Sequence, residues 1–442
     1  MECIDISSSC MTGMDFWLMS DRHPCAARNT ASSDTGVLSF EDKASRDEGG
    51  RKCELSDIFR LHGAEYRARH NLSDQQKRVM FDIEHCRTSA LGYHVEVCDT
   101  CGHREAAYNS CRNRHCPKCQ GITRRRWVEK RLKDLLPVPY FHEVFTLPSE
   151  IFPVCLFNQE VVYNLLFESA AEALLLFGKD PKWLGGEIGF FGVLHTWGQS
   201  LCVHPHVHFV VAGGGIGENG EWIWLKYGGK FLFPVRALSK TFRRLFIEGL
   251  LRAYDEGRLR FAAELEALGE REGFDKWIVE LESKEWVVFS RAPFAGPEDV
   301  VRYVGRYTHR VAISNARILS VGDEDVCFSY KDYRDGGERK EMSLSADEFI
   351  KRFLYHVLPA GFHKIRHYGF LGNGKKKKLQ ELREGLLPKE GLSCRMEEAA
   401  EVSDLVRCPS CGVGTLRPAF IVDRYGRVII KSLQAMLGWN SS

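Results

Sequence analysis

The apolar positions of the N-terminal part of the chain form one helical region after a stretch without periodicity. Residues 1 to about 52 are rich in Ser, Asp, Thr and Gly, and their few apolar positions keep neither a strand period nor a helix period. We expect these residues to form a disordered leader. From about residue 57 to residue 88 apolar positions recur with helical spacing. The pattern is interrupted at residues 71–74, where Ser73 is a suitable N-cap for the segment that follows.

Beyond residue 137 the pattern alternates between strand-like and helix-like segments. We expect strands at 140–147, 188–197, 201–211, 286–290, 311–319 and 326–330, and helices at 156–177, 235 to about 282, and 297 to about 309. The glycines at 213–215 are expected to end the strand that precedes them. This order of elements predicts an α+β sandwich and not a doubly wound parallel sheet.

Changes in pattern divide the chain into four parts. We expect a leader at 1–52, a small domain at 53–137, a larger domain at 138–370 with a helical insertion at about 218–284, and a C-terminal tail at 371–442. The tail begins with a basic run, Lys375 to Lys378, and contains an isolated Cys408-x-x-Cys411 pair. One such pair supplies only half of a tetrahedral metal site.

Charge, hydropathy and cysteine content argue against a membrane protein and against a disulfide-rich secreted protein. The chain of 442 residues has 61 Lys and Arg against 59 Asp and Glu, which gives a net charge of only +2. The location of charged patches therefore says more about binding partners than the total charge does. No run approaches the ~18 consecutive apolar residues of a membrane helix, and we expect a soluble intracellular protein without a membrane partner. Sixteen cysteines in such a chain are better explained as thiols and metal ligands than as a disulfide framework.

Two closely spaced cysteine pairs predict a zinc site. Cys98-x2-Cys101 and Cys116-x2-Cys119 are separated by fourteen residues, which is the spacing of a four-cysteine zinc site. We expect one structural Zn²⁺, because four filled positions leave none for a substrate. Further candidates for a second zinc site are interleaved with these pairs: Cys86, His94, His103, Cys111 and His115.

A strongly basic stretch follows the second cysteine pair. Residues 111–139 contain nine Lys and Arg against two acidic residues, and Arg124, Arg125 and Arg126 are consecutive. Such a run is often a solvated helix face, but next to a zinc site it favours contact with nucleic acid. Trp127 lies inside the run, and we expect it to anchor the helix to the core and not to stack on a base.

The segment His204-Pro205-His206-Val207-His208 has the alternation of a strand. The histidines project to one face and Val203, Val207 and Phe209 to the other. Imidazoles at i and i+2, such as those of His206 and His208, can chelate one cation. The alternative is a pair of half-exposed strand histidines.

A tyrosine pair occurs about ninety residues later. If residues 297–309 are helical, Tyr303 and Tyr307 lie one turn apart, beside a stripe formed by Arg302, Arg306 and Arg310. Arginines repeated at this spacing without acidic neighbours favour an external polyanion. The alternative is two packed tyrosines with arginines that reach past them to solvent.

These motifs together resemble a known family. They are the Cys-rich segment that ends Ser-Cys-Arg-Asn-Arg-His-Cys-Pro-Lys-Cys-Gln, the segment Phe145-Thr146-Leu147-Pro148, the His-Pro-His-Val-His strand, and Tyr-x3-Tyr within Tyr-Val-Gly-Arg-Tyr-Thr-His-Arg-Val-Ala-Ile-Ser-Asn. Over about residues 55 to 380 the chain resembles the IS91-type transposases, which are two-tyrosine members of the HUH endonuclease superfamily. The four motifs occur in the order of that family.

The resemblance implies a catalytic mechanism. His206 and His208 would hold Mg²⁺ or Mn²⁺ at an antiparallel sheet, with His195, Gln199 or His204 as the candidate third ligand. Tyr303 and Tyr307 would be nucleophiles that form 5′-phosphotyrosine links. Arg306 and Arg310 would draw in the phosphate.

The resemblance also implies an activity, partners and a location. The protein would be an enzyme that nicks and rejoins single-stranded DNA at the ends of a mobile element by a rolling-circle-like route, and it would also act on target DNA. We expect it in the bacterial cytoplasm, associated with the nucleoid. Two other functions are compatible with parts of the sequence: a non-catalytic zinc-ribbon regulator, and a metal-dependent hydrolase that uses the HxH pair. Neither of these needs the tyrosine pair.

Overall fold

The computed structural model describes residues 52–121, 127, 135–226, 231–291, 311–333, 335–372, 374–386, 407–423 and 425–429. The α-helices are α1 (Leu55–Arg69), α2 (Asp74–Glu84), α3 (Phe152–Phe157), α4 (Gln159–Lys179), α5 (Val235–Asp255), α6 (Arg271–Ser283), α7 (Ala346–Tyr355) and α8 (Lys376–Leu386). The strands are β1 (Tyr93–Cys98), β2 (Arg104–Tyr108), β3 (Tyr140–Thr146), β4 (Glu187–Trp197), β5 (Val203–Ile216), β6 (Trp222–Trp224), β7 (Val288–Arg291), β8 (Ile318–Val321), β9 (Asp325–Asp332), β10 (Glu338–Ser345), β11 (Ile365–Gly369), β12 (Leu416–Val422) and β13 (Val428–Ile429). The predicted leader, apart from residue 52, and the predicted helix at 297–309 lie outside the described residues.

The described chain forms two compact units. The small unit combines Leu55–Gly121 with Pro388–Ser442, and the large unit contains Ile122–Leu387. In the small unit Ser73 caps α2 as predicted. Ser73 Oγ accepts a hydrogen bond from Gln76 N at 3.3 Å, and Gln76 Oε1 accepts one from Ser73 N at 3.0 Å, which satisfies two donors that a helix start otherwise leaves open.

The sheet of the small unit is built from both ends of the described chain. Its order is β13-β12-β1-β2, and its neighbouring strands are antiparallel. The prediction that residues 371–442 form one C-terminal tail is therefore wrong. Strand β12 pairs with β1, whereas Leu379 of α8 is buried in a core cluster of the large unit. The sequence pattern misses this division because strand pairing over such a distance leaves no local periodicity.

The large unit has the predicted α+β architecture around an antiparallel sheet. The strand order is β11-β4-β5-β3-β7, with β6 paired to β5. One face carries a core that includes residues of α4, α5 and α6, and the ring centroids of Phe145 and Phe242 are 5.2 Å apart there. The predicted helical insertion is thus part of this core. The other face carries Phe191, against which Trp127 packs edge-on at 5.7 Å, as expected for an anchoring residue.

Strand β5 continues through the glycines that were expected to end it. A Cβ atom on Gly213 would lie 2.8 Å from the carbonyl oxygen of Pro139, and one on Gly215 would lie 2.9 Å from that of Glu187. These backbones approach β5 from both neighbouring sides, so the glycines permit close contact and do not form a turn. The strand therefore extends to Ile216.

Helix α4 is long and apolar enough to span a membrane by length and composition. Of its most apolar window, however, 61% is buried inside the protein. Its residues Leu166, Phe167 and Leu174 belong to the main core cluster. Helix α4 is therefore explained as a core helix of the large unit.

Candidate metal centres

Three histidines converge on one face of the large sheet. His195 lies on β4, and His206 and His208 lie on β5, with one ring nitrogen of each within 4.8 Å of the others. His195 and His208 are buried, and His206 is half-buried. Three imidazole nitrogens at this separation can bind one cation.

The strand register explains why these side chains meet. His195 is directly opposite His206 in the β4–β5 pair, and Val193 is opposite His208. Because side chains alternate along a strand, His206 and His208 share one face while Val207 and Phe209 enter the main core on the other. The shared face of the two histidines is thus as the sequence predicts.

Only one of the three candidates for a third ligand joins this group. His195 does so. His204 lies beside His206, with ring centroids 5.0 Å apart, but its ring nitrogens are not among those that converge. The ring of His204 packs edge-on against Phe152 with centroids 5.8 Å apart, and Gln199 Nε2 donates to the hydroxyl of Tyr333 at 3.5 Å. The cross-strand register selects His195, and register is not visible in one sequence.

Hydrogen bonds orient two of the three rings. His206 Nδ1 lies 2.7 Å from the carbonyl oxygen of His204, to which it can only donate. This contact places the lone pair of His206 on Nε2. His208 Nδ1 lies 2.9 Å from His142 Nε2 on β3. A metal-binding histidine commonly donates its second N–H to such a partner, which sets its tautomer and ring orientation.

His142 is a residue that the sequence analysis did not identify. It is buried on β3, and burial, with a contribution from the positive charge of Arg291, lowers its pKa to about 3. The ring is therefore neutral, and its Nε2 can accept a hydrogen bond from His208 Nδ1. The sequence feature that could have indicated His142 is its spacing from Thr146. The two residues are four positions apart on a strand and therefore lie on one face.

Thr146 places a hydroxyl at the same position of the sheet. It is directly opposite His206 in the β3–β5 pair, so the two side chains are neighbours on one face. Its Oγ1 atom is buried and has no hydrogen-bond partner in the described structure. Buried hydroxyls usually have partners, and an exception calls for an explanation such as a ligand or an ordered water molecule.

A separate group of four cysteines lies in the small unit. Cys86, Cys111, Cys116 and Cys119 place their sulfur atoms within 4.8 Å of one another. Cys119 Sγ is 3.6 Å from both Cys86 Sγ and Cys111 Sγ. Tetrahedral zinc with Zn–S bonds of about 2.3 Å separates its sulfur ligands by about 3.8 Å, so this group fits Zn²⁺ without an open position.

The predicted combination of Cys98, Cys101, Cys116 and Cys119 around one zinc ion is wrong in its pairing. Cys98 and Cys101 lie instead with Cys408 and Cys411. The prediction paired the two nearest cysteine pairs in the sequence. The fold separates them because Cys98 and Cys101 flank the turn between β1 and β2, whereas Cys116 and Cys119 lie with Cys86 at the end of α2.

Several predicted site residues lie outside the described residues: Arg124, Arg125, Arg126, Tyr303, Arg306, Tyr307 and Arg310. Their roles remain predictions. In the basic run at the start of α8, Lys375 Nζ and Lys378 Nζ lie 2.5 Å and 3.3 Å from carboxylate oxygens of Glu187.

Two protein families match the chain. Residues 58–147 match the family described as "Transposase zinc-binding domain" of IS91 type, and residues 189–378 match the family described as "Putative transposase". The first range contains the group of Cys86, Cys111, Cys116 and Cys119, and the second contains His195, His206 and His208. Cys408 and Cys411 lie beyond both ranges.

Two relatives cover most of the chain. It is 52% identical over 384 residues to "Putative transposase y4qJ" of Sinorhizobium fredii (strain NBRC 101917 / NGR234), an alignment that covers 84% of this chain and 96% of the relative. It is 30% identical over 305 residues to "Transposase for insertion sequence element IS801" of Pseudomonas savastanoi pv. phaseolicola, covering 68% and 72% of the two chains. No solved structure matches the chain.

Proposed function

Because the chain belongs to the family of IS91-type transposases, we propose that it nicks and rejoins single-stranded DNA at the ends of an insertion element through 5′-phosphotyrosine intermediates. The observation that carries this proposal is the convergence of His195, His206 and His208 on one face of the sheet. A non-catalytic DNA-binding regulator has no need of such a group. The rolling-circle-like route remains part of the proposal.

The donor set supports a choice between the two metal ions expected from the sequence. Mg²⁺ prefers oxygen ligands and keeps several water molecules, whereas imidazole nitrogens suit first-row transition metals better. Mn²⁺ is therefore the better fit to His195, His206 and His208. When bound, the divalent ion polarises the scissile phosphate and offsets the charge that develops during attack.

The residues around the three histidines have supporting roles. His142 Nε2 accepts a hydrogen bond from His208 Nδ1 and so keeps the His208 Nε2 lone pair directed at the cation. The hydroxyl of Thr146, beside His206, donates a hydrogen bond to an oxygen of the DNA phosphate or of a water molecule at this site. Both residues come from β3, next to β5 in the sheet.

The covalent step belongs to the tyrosines. A phenol with a pKa near ~10 is a weak nucleophile at neutral pH, and Arg306 and Arg310 favour its ionised form and bind the phosphate. The phenolate oxygen of one tyrosine attacks phosphorus, the bond to the 3′ oxygen breaks, and that oxygen takes up a proton. The resulting phosphotyrosine keeps the bond energy for rejoining. The second tyrosine, four residues away in the sequence, accepts the second strand.

The small unit supplies the DNA-binding part of the proposal. Zinc held by Cys86, Cys111, Cys116 and Cys119 stabilises this unit, and Arg124, Arg125 and Arg126 follow it in the sequence. These arginines would contact the phosphate backbone of the element ends and of the target. We expect a protein with such substrates to associate with the nucleoid.

The experiment is a search for a covalent protein–DNA adduct. Labelled single-stranded DNA from the element ends is incubated with protein and Mn²⁺, denatured, and separated by electrophoresis. The wild type should give a denaturation-resistant adduct. Tyr303→Phe and Tyr307→Phe should each keep part of it if the tyrosines can substitute for each other, and the double variant should form none. Phenylalanine removes only the hydroxyl and retains the aromatic ring.

Three results would contradict the proposal. Adduct formed by the double variant at the wild-type position and yield would place the covalent link elsewhere. Cleavage by the wild type without any adduct would instead indicate a hydrolase that activates water. Binding of the DNA without cleavage, in both Mn²⁺ and Mg²⁺, would indicate a regulator.

A further inference from the structure

Two short cysteine loops face each other in the small unit, although they are far apart in the sequence. One contains Cys98 and Cys101, between β1 and β2, and the other contains Cys408 and Cys411, before β12. Cys98 Sγ lies 3.8 Å from Cys411 Sγ, and Cys101 Sγ lies 3.7 Å from Cys408 Sγ. All four sulfur atoms are within 4.8 Å of one another.

These distances match a shared metal ion. Sulfur ligands of tetrahedral zinc are separated by about 3.8 Å, given Zn–S bonds of about 2.3 Å. A disulfide would need about 2.05 Å between two sulfurs, and four thiols without a ligand have no reason to occupy the corners of a tetrahedron of that size. The distances therefore favour zinc.

The backbone of both loops has the form of a metal-binding knuckle. The residue after the second cysteine of each pair is a glycine with a left-handed backbone, Gly102 at φ 69° and Gly412 at φ 68°. In each loop this glycine donates its N–H to the carbonyl of the first cysteine, at 3.1 Å and 2.9 Å. The two loops thus have the same local backbone structure. A metal ion that both loops bind explains this similarity, whereas two unrelated loops would have no reason to match.

Backbone N–H groups also point at the sulfur atoms. Cys101 N donates to Cys98 Sγ at 3.5 Å, and Gly414 N donates to Cys411 Sγ at 3.3 Å. Such donors stabilise thiolates, the form that binds metal. A Cβ atom on Gly414 would lie 2.5 Å from Cys98 Sγ, so only glycine allows this approach between the two loops.

Among the described residues, only a small buried cluster lies beside these loops. It consists of Cys98, Cys408 and Leu416, with Cys411 packed against it. A four-stranded sheet with so small a core needs another source of stability, and metal binding provides it in small domains. Asp99 adds contacts across the loops by accepting hydrogen bonds from Thr415 N at 2.9 Å and from Arg417 Nε at 3.2 Å.

We propose that Cys98, Cys101, Cys408 and Cys411 bind a second, structural Zn²⁺ that joins the C-terminal strands to the N-terminal cysteine region. The ligands come from positions 307 and 313 residues apart. The chain between them contains residues 122–387 of the large unit. The zinc-binding domain is therefore discontinuous, and the catalytic domain is inserted into it.

This arrangement changes where the domain ends. A chain cut after Leu387 would retain both ranges matched by the transposase families, 58–147 and 189–378. It would nevertheless lose half of the second site and strands β12 and β13. Cys98 and Cys101 would then be left with two ligands for a cation that needs four.

The test is the zinc content of the full-length protein, measured by elemental mass spectrometry for a set of matched variants. Cys408→Ser combined with Cys411→Ser should lower the zinc content by one ion per chain. Cys86→Ser combined with Cys119→Ser should also lower it by one, and the fourfold variant should lower it by two. Cys202→Ser combined with Cys327→Ser removes two thiols outside both groups and should leave it unchanged.

These differences do not depend on metal bound at the histidine site, which is the same in every variant. If Cys408→Ser with Cys411→Ser kept the wild-type zinc content, the second site would not exist. Wild-type protein with disulfides from Cys98 to Cys411 and from Cys101 to Cys408, and without this zinc ion, would overturn the proposal equally.

A further variant covers the case in which the serine protein does not fold. Cys411→His retains a nitrogen ligand suited to zinc, so this protein should fold and keep the full zinc content. Replacement of zinc by Co²⁺ in the wild type should give tetrathiolate absorption for two ions per chain. Absorption for one ion only would contradict the proposal.

Discussion

His142 Nε2 and His208 Nδ1 lie 2.9 Å apart between neighbouring strands of the large sheet. Both side chains are buried, and their rings are nearly coplanar, at 4°. The contact connects a residue outside the group of three histidines to one inside it. It therefore gives a direct way to weaken the proposed cation site without removing a ligand.

The substitution is His142→Ala. We expect Mn²⁺ affinity to fall about 10- to 100-fold, the usual effect of losing a hydrogen-bond partner of a metal ligand. Isothermal titration with Mn²⁺ measures this. Nicking should recover at high Mn²⁺, because the three ligands are still present. His142→Gln, which retains an acceptor oxygen, should lose less affinity. Equal Mn²⁺ affinity in the alanine variant and the wild type would show that the contact does not orient His208.

The identity of the third ligand is tested by alanine variants of the three candidates, compared with variants of His206 and His208. His195→Ala should abolish Mn²⁺ binding and nicking, as should His206→Ala or His208→Ala, because each removes a member of the converging group. His204→Ala and Gln199→Ala should retain both properties. DNA binding, measured by fluorescence anisotropy, should remain in all of them. Loss of nicking in His204→Ala with full activity in His195→Ala would reverse the assignment.

The substitution Thr146→Val distinguishes the effect of the hydroxyl on nicking from its effect on the stability of the folded protein. Valine has nearly the same shape and no polar atom, and a buried hydroxyl without a partner costs about 1–3 kcal/mol. We expect the variant to be at least as stable as the wild type in thermal unfolding, and its nicking rate at saturating Mn²⁺ to fall. Thr146→Ser, which keeps the hydroxyl, is the control. Unchanged nicking by the valine variant would exclude a contact with substrate.

The raised pKa of the buried Glu143 carboxyl makes the free energy of unfolding depend on pH. Burial raises its pKa to about 8 from an ordinary value of 4.5, against the opposing effect of a hydrogen bond from Ser290 Oγ at 2.6 Å. Between these two values the folded protein holds a proton that the unfolded chain has released. This group therefore lowers stability as pH rises through that window, by on the order of 1 kcal/mol per pH unit.

Glu143→Gln removes the titration and nearly conserves the shape. Thermal unfolding midpoints measured between pH 5 and pH 8 should fall less steeply for the variant than for the wild type. The slope is the readout, because any fixed cost of the buried amide shifts all points equally. Parallel slopes for the two proteins would contradict a raised pKa at this position.

Several features followed from local pattern alone. The alternation along residues 203–211 placed His206 and His208 on one face, and the Ser73 cap and helix α4 followed from spacing. The single helix expected from residue 235 to about 282 is instead divided into α5 and α6. These are properties of neighbouring residues, since side-chain direction repeats every two residues in a strand and every 3.6 in a helix. The motifs also indicated the family that the comparisons identify.

Tertiary structure decided which chemical groups meet. His195 and His142 reach the site through the register of β4 and β3 against β5, and Cys408 reaches Cys101 across 307 residues. Pairing by proximity in the sequence therefore assigned the wrong cysteines to one zinc ion. A ligand set is defined by distances in space, and contacts between distant strands depend on the burial of whole faces and on register, which no local period records.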